Sequence, residues 1–171
     1  MADLLEALEI ETGPSPRAAV VGSVMRAWYD VAARGGDPED EAGLRASLDQ
    51  VEALIAREAA RGLPARSLVL AGFSQGGALA LLAGLRHPAR LAGILALSCY
   101  LPLAHTLAAE AAPANRAVPI LMAHGTHDDV IPIARARDSR DRLVAAGYAV
   151  EWREYRMPHS VCDQEVLDIG T

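Results

Sequence analysis

The sequence of 171 residues is poor in cysteine and has neither a long apolar run nor a basic start. Its two cysteines, Cys99 and Cys162, do not make the disulfide framework that stabilises many small secreted domains. Hydrophobic residues form 51% of the chain, but no run approaches the roughly 20 apolar residues of a membrane-spanning helix. Because the first residues are acidic and lack the basic start of a signal peptide, a cytoplasmic location is expected.

Positive charge is also scarce. The 16 basic residues are outnumbered by 22 acidic ones, and the net charge of −6 argues against nucleic acid as a partner, because that binding needs a basic face. Lysine is absent, and the arginines are scattered along the sequence, which is typical of a solvated surface rather than an anion site. The chain is long enough to bury a core and shows no repeat or linker, so a single domain over residues 1–171 is predicted.

The strongest positive signal is the run Gly72-Phe73-Ser74-Gln75-Gly76, which fits the G-x-S-x-G nucleophile elbow. Residues 67–71 before it predict a buried strand, and residues 78–83 after it predict a buried helix. The serine therefore lies at a tight strand-to-helix turn, where a Cβ at Gly72 or Gly76 is expected to clash and the Gln75 N–H lies near the reacting centre. The alternative is a glycine-rich turn with an incidental serine.

Candidates for an acid and a base follow later predicted strands. A serine nucleophile needs a base, and the base needs an orienting carboxylate; in α/β-hydrolases they follow in the order Ser, Asp, His. Asp128 and Asp129 follow a predicted strand at residues 118–123, and His159 follows one at residues 150–155. Because open α/β sheets place their sites at the carboxyl ends of strands, these side chains are expected to meet Ser74.

Two other interpretations of these residues are less favoured. His124 and His127, close to Asp128 and Asp129, suggest a metal site, but their spacing is loose and no further His or Cys cluster supports it, so no metal is expected. Cys162 lies three residues after His159 and suggests a Cys–His pair, yet only the serine lies in an elbow motif.

Helices are predicted before the first strand of the sheet and between the strands. Asp37 is expected to cap a helix that begins at Pro38 and runs to about residue 60. Further helices are predicted at residues 4–10 and 134–146, with a partial helix in the connection 102–113, and a further strand is predicted at residues 93–98. Strands alternating with helices indicate an α/β fold with a mostly parallel sheet and helices on both faces.

The sequence resembles the phospholipase/carboxylesterase family, which includes bacterial carboxylesterases and acyl-protein thioesterases. Five stretches match in family order, at residues 25–30, 71–78, 91–98, 124–130 and 155–159. The resemblance implies an α/β-hydrolase-like fold with Ser74 as the nucleophile, Asp128 rather than Asp129 as the acid, and His159 as the base. It implies no cofactor.

The resemblance also identifies two candidates for substrate contact and one for the oxyanion site. Phe73 and Trp28 are the candidates for contact with substrate, although packing against the sheet is the alternative for Trp28. The Gln75 N–H is the expected oxyanion donor. The implied substrate is a small-molecule ester or an acyl-thioester.

Upstream of the elbow, the sequence departs from the family pattern. Members begin with two or more further strands and a His-Gly-Leu-Gly-type loop that supplies a second oxyanion donor, whereas the only His-Gly pair here is His124-Gly125. Residues 1–24 do not resemble the family, and members usually continue into a closing helix after the base. An N-terminally truncated α/β-hydrolase domain with an atypical segment at residues 1–24 and no closing helix is therefore expected.

The departure has consequences for assembly and for activity. The outer side of the elbow strand is expected to be an open apolar edge that favours a homodimer, unless residues 18–24 pair there as a replacement strand. Loss of one oxyanion donor typically costs about 10²–10³ in turnover. The expected function is serine carboxylesterase or thioesterase activity through an acyl-enzyme, and the alternative is a catalytically impaired chain that binds or dimerises, or that has no activity.

Overall fold

The computed structural model describes residues 15–17, 25–30 and 39–170. The predictions for residues 4–10 and 18–24, and for Asp37 and Pro38, lie outside the described residues. Of the segment 1–24, only strand β1 (Ser15–Arg17) is described; it pairs antiparallel with β2 (Met25–Ala27) in a separate two-stranded sheet.

The main sheet has four parallel strands in the spatial order β3-β4-β5-β6. The strands are β3 (Val69–Phe73), β4 (Gly93–Leu97), β5 (Ile120–Gly125) and β6 (Val150–Tyr155). Each lies within two residues of its predicted position, and the predicted parallel α/β architecture is confirmed. Every connection between neighbouring strands carries helical residues, as parallel pairing requires a long crossover.

Five α-helices connect and cover the strands in the described part of the chain. They are α1 (Glu41–Ala60), α2 (Gln75–Arg86), α3 (Leu107–Glu110), α4 (Ile133–Ala145) and α5 (Asp163–Ile169). Helix α1 begins later than predicted, because Asp40 is its N-cap and accepts a hydrogen bond from Gly43 N–H at 2.9 Å. Helix α5 forms where no closing helix is predicted, with Asp163 and Glu165 in its first turn. None of these helices is long and apolar enough to cross a membrane.

Helices cover both faces of the sheet, as predicted. Nearly all of α2 is buried, and Gly84 of α2 packs closely against Ile94 of β4. On the opposite face, the Tyr155 hydroxyl at the end of β6 donates a 2.8 Å hydrogen bond to Asp168 of α5. Helix α1 packs against α2.

An ion-pair network fastens the connection after β4 to helix α2. The Glu110 carboxylate accepts hydrogen bonds from Arg86 at 2.7 Å, from Thr106 at 2.7 Å and from Arg45 at 2.8 Å. Burial alone would raise the pKa of Glu110, but these three donors outweigh it and lower the pKa to about 2. The network joins α1, α2 and α3 around one carboxylate.

The outer edge of β3 differs from the rest of the sheet. Within the described ranges, no strand pairs with β3 on the side away from β4. The side chains of Val69 and Phe73, on the face of β3 away from α2, are 57% and 37% exposed. An apolar edge therefore borders the strand that leads into the elbow.

Candidate active site

Ser74 lies in a strained turn between β3 and α2. Its backbone has φ 56° and ψ −120°, a conformation that non-glycine residues rarely adopt and that costs about 1–3 kcal/mol. The turn is held on both sides, because Ser74 N–H donates to Leu97 O at 2.9 Å and Ser74 O accepts from Ala78 N–H at 3.1 Å. This is the backbone geometry predicted for a nucleophile elbow.

The glycines around Ser74 have unequal roles. A Cβ added to Gly72 would lie 2.2 Å from the backbone of Gly76, so the prediction of a clash there agrees with the structure. The same prediction for Gly76 is wrong, because nothing lies within 4 Å of a Cβ at that position. The second close approach is at Gly77, whose Cβ would lie 2.8 Å from Gly72 O and 2.9 Å from Cys99 Sγ.

Asp128 lies in the loop after β5 and is almost fully buried. One carboxylate oxygen accepts two backbone hydrogen bonds, from Val130 N–H at 3.0 Å and Ile131 N–H at 2.8 Å. The other oxygen lies 2.7 Å from His159 Nδ1. Asp129 is exposed, so the two neighbouring aspartates lie in different environments.

His159 connects Asp128 to Ser74. Its Nδ1 lies 2.7 Å from Asp128 Oδ2, and its Nε2 lies 3.0 Å from Ser74 Oγ. Since an ionised carboxylate only accepts hydrogen bonds, Nδ1 donates to Asp128 and Nε2 is left to accept the hydroxyl proton of Ser74. The three residues form one continuous chain of hydrogen bonds over loops that follow three different strands.

The loops that carry Asp128 and His159 are bonded directly to each other. Thr126 N–H donates to Tyr155 O at 2.8 Å, and His127 N–H donates to Met157 O at 3.1 Å. A Cβ added to Gly125 would lie 2.4 Å from Met157 O, so this close approach requires glycine. Backbone contacts therefore fix the distance between Asp128 and His159.

His124 contacts Asp128, a contact that the sequence does not predict. Its ring is fully buried, with Nε2 at 2.8 Å from Ile131 O and 3.3 Å from Asp128 Oδ2. The sequence indicates His124 only as a candidate metal ligand. Among the residues with described positions, no group of three or more His, Cys, Asp and Glu side chains is arranged to hold a metal ion. The available signal was the position of His124 in β5, four residues before Asp128.

The two candidates for substrate contact flank the elbow on different sides. The Phe73 ring lies on the open face of β3, with its centroid 4.7 Å from that of the His159 imidazole. Trp28 is half-buried and packs against the hydrophobic core. Its backbone N–H donates to Gln75 Oε1 at 3.1 Å. Trp28 therefore both packs against the core and lies next to the elbow.

Gln75 is the first residue of α2 and directly follows Ser74. The first four N–H groups of a helix have no acceptor within the helix, so the Gln75 N–H is available to an anion at the elbow. Its side chain is engaged elsewhere, with Trp28 and Tyr29.

The two cysteines have different positions around the site. Cys99 is fully buried below the elbow, and burial raises the pKa of its thiol, which keeps it protonated. Cys162 is the N-cap residue of α5 and is partly exposed. Neither is within a strand-to-helix elbow.

Comparison with known proteins gives a consistent result over most of the chain. The profile of the Phospholipase/Carboxylesterase family matches residues 11–171, so the expectation that residues 1–24 do not resemble the family is wrong for residues 11–24. Acyl-protein thioesterase 1 of Gibberella zeae is 38% identical over 163 residues, which cover 90% of this chain and 69% of that protein. Acyl-protein thioesterase 1 of Neurospora crassa is 41% identical, over 88% of this chain and 65% of that protein.

A solved structure shows the same similarity in three dimensions. The crystal structure of Zea mays acyl-protein thioesterase 2 superposes with a TM-score of 0.80 at 30% identity and covers 98% of this chain and 83% of that chain. The chain thus spans about two thirds of the length of the two fungal relatives and more of the maize structure.

Proposed function

Because the chain belongs to the phospholipase/carboxylesterase family, we propose that it hydrolyses carboxylic esters or acyl-thioesters through an acyl-enzyme on Ser74. The observation that carries the proposal is the chain of hydrogen bonds from Ser74 Oγ to His159 and on to Asp128, at 3.0 and 2.7 Å. A nucleophile, a base and an orienting acid in this order form the standard arrangement for acyl transfer.

In the proposed reaction, His159 acts first as a base and then as an acid. Its Nε2 takes the Ser74 hydroxyl proton as Oγ bonds to the carbonyl carbon, and then gives that proton to the leaving alcohol or thiol. A water molecule next attacks the acyl-serine ester with His159 again as the base, which releases the carboxylic acid and restores Ser74. No cofactor takes part in these steps.

Asp128 is the proposed orienting acid. Its bond to Nδ1 fixes the tautomer in which Nε2 can accept a proton, and its charge stabilises the imidazolium that forms. The backbone donors Val130 and Ile131 hold the other carboxylate oxygen, which fixes the orientation of the side chain. The exposure of Asp129 supports the choice of Asp128.

The proposed oxyanion donor is the Gln75 N–H at the amino end of α2, where the helix dipole also favours negative charge. Phe73, beside the base, and Trp28, next to Gln75, are the proposed substrate contacts. The names of the fungal and maize relatives favour an acyl-thioester among the possible substrates.

Hydrolysis of p-nitrophenyl acetate and of an acyl-thioester by the purified chain tests this proposal. We expect turnover in the parent and, in Ser74→Ala, a loss that approaches the roughly 10⁶-fold effect of removing a catalytic serine. Circular dichroism of both proteins is the control for folding. Equal rates in parent and variant, both folded, would contradict the proposal and favour the catalytically impaired alternative.

A further inference from the structure

We propose that the Gln75 side chain is a positioning residue that holds the Trp28–Tyr29 segment against the elbow, so that this segment forms one wall of the acyl-binding site. The proposal deepens the function proposed above and rests on it for the acyl-binding role. The proposed positioning role of Gln75 rests only on hydrogen bonds, and it can be tested without measuring enzyme activity.

The carboxamide of Gln75 bridges two consecutive residues of this segment. Its oxygen accepts from Trp28 N–H at 3.1 Å, and its nitrogen donates to Tyr29 O at 2.9 Å. The contacts span 47 and 46 residues of sequence, so they connect parts of the chain that are distant from each other. A two-point amide contact of this kind fixes both the position and the direction of the backbone it binds.

Side chains of α1 and its N-cap also bond to this backbone. The segment follows the end of β2 and lies outside any strand. The Ser47 hydroxyl donates to Trp28 O, and Asp30 N–H donates to Asp40 Oδ2 at 2.9 Å. Buried backbone groups need partners, and here α1 supplies them on one side and Gln75 on the other. Gln75 is the member of this set that adjoins Ser74.

This arrangement couples the segment to the oxyanion donor. The Gln75 N–H next to Ser74 belongs to the same residue whose side chain holds Trp28 and Tyr29, so segment and donor share one rigid support at the start of α2. Below it, the buried Tyr29 hydroxyl lies 3.1 Å from the Tyr100 hydroxyl. Loss of the amide contact is therefore expected to release the end near Trp28 while Tyr29 remains anchored.

The chemistry of the contact suggests an isosteric test. A carboxamide donates and accepts at once, whereas a carboxylate of the same shape only accepts. In Gln75→Glu, the Tyr29 carbonyl loses its donor and faces an acceptor, while the backbone N–H at position 75 is unchanged. Gln75→Ala removes both contacts without adding charge and serves as the second variant if the first does not fold.

The first readout is the fluorescence of Trp28, which needs no substrate. The chain has two tryptophans, so Trp152→Phe leaves Trp28 as the sole reporter. In this background we expect Gln75→Glu and Gln75→Ala to increase quenching of Trp28 by acrylamide. A matched control is Asn115→Asp, because the buried Asn115 amide likewise accepts from Leu91 N–H and donates to His87 O, at 2.8 and 2.7 Å. This variant is expected to lose stability but to leave Trp28 quenching unchanged.

The second readout compares the KM values for an ester with a long acyl chain and an ester with a short one. For p-nitrophenyl octanoate, we expect the Gln75 variants to raise KM about tenfold or more, because a displaced wall weakens binding of the longer acyl chain. The KM for p-nitrophenyl acetate should rise much less, because its short acyl chain makes less contact with this wall. Asn115→Asp should keep the parent ratio of the two KM values, which a loss of stability alone does not alter.

The quenching and KM measurements test the positioning role and the acyl-wall role separately. Unchanged Trp28 quenching in folded Gln75 variants would overturn the positioning role. Increased quenching with the parent ratio of KM values would overturn the acyl-wall role and leave the positioning role intact. If the parent itself hydrolyses neither ester, the function proposed for Ser74 fails together with the acyl wall, and the quenching result still decides the positioning role independently.

Discussion

The loops after β5 and β6 differ sharply from the outer side of β3, although both border Ser74. Backbone hydrogen bonds join these two loops, and both carboxylate oxygens of Asp128 have hydrogen-bond partners. At the outer side, Val69 and Phe73 are exposed, and the part of the chain that is described supplies no neighbouring strand. Within the described residues, the geometry that links Asp128, His159 and Ser74 therefore depends on the ends of β3, β5 and β6.

This difference separates two aspects of the proposed function. The chemical groups lie in the well-connected region, where backbone contacts fix their distances. We propose that an acyl chain and a second oxyanion donor approach from the open region, where the Phe73 ring lies beside His159. Chemistry and substrate binding are thus expected to respond to different substitutions.

The largest expected effect is at the acid. Asp128→Asn should lower kcat for ester hydrolysis by roughly 10⁴-fold, because an amide at this position favours the wrong imidazole tautomer. Asp129→Asn, at the exposed neighbour, should change kcat little. Steady-state kinetics of both variants measure the difference, and a larger loss in Asp129→Asn would mean that the acid has been assigned to the wrong residue.

The next effect is on folding of the elbow. Gly72→Ala should destabilise the protein by on the order of 3 kcal/mol, because its Cβ would lie 2.2 Å from the backbone of Gly76. Gly76→Ala, with nothing within 4 Å of the added methyl, is the matched control and should remain folded. Urea unfolding of the two variants compares them. Equal stability would show that the turn relaxes, contrary to the rigid elbow described above.

A smaller effect is expected in acid, at the network around Glu110. The folded-state pKa of Glu110 is lowered from 4.5 to about 2, so its contribution to stability is present above pH 4.5 and is lost as the pH falls from there through 2. Glu110→Gln should therefore lower Tm clearly at pH 7 and very little at pH 2. Asp138→Asn, in an exposed pair with Arg142, should have a small effect at both values. An undiminished Tm difference for Glu110→Gln at pH 2 would contradict this account.

The smallest expected effect is at the open edge itself. We propose that a second copy of the chain associates weakly along the exposed side of β3, since an unpaired apolar edge favours strand pairing. Val69→Lys should reduce the concentration-dependent association seen by sedimentation velocity and leave ester hydrolysis unchanged. A monomeric parent at all concentrations would exclude this homodimer.

Much of the architecture was predictable because its signals are local. Apolar runs bounded by turns located all four strands of the main sheet, and the glycine pattern located the turn at Ser74. The family resemblance is confirmed over residues 11–171, and Ser74, Asp128 and His159 do lie within hydrogen-bonding distance, although their roles stay predictions.

The parts that were missed depend on tertiary placement. Sequence patterns do not show that a Cβ added to Gly76 would lie in open space, whereas one added to Gly77 would contact Cys99. They also do not show the contact of His124 with Asp128 or that of the Gln75 amide with Trp28, because each requires knowing which loops the sheet brings together. The cap of α1 was placed three residues early, since Asp37 and Asp40 are both suitable caps.

The most direct test of the central claim is to trap the nucleophile. A fluorophosphonate probe reacts when a serine oxygen bonds to phosphorus and fluoride leaves, with the hydroxyl proton passing to the base. We expect mass spectrometry to find one adduct per chain, on the peptide that contains Ser74, and no adduct in Ser74→Ala. Absence of an adduct in folded parent protein, or an adduct on another residue, would contradict the proposed acyl-enzyme mechanism.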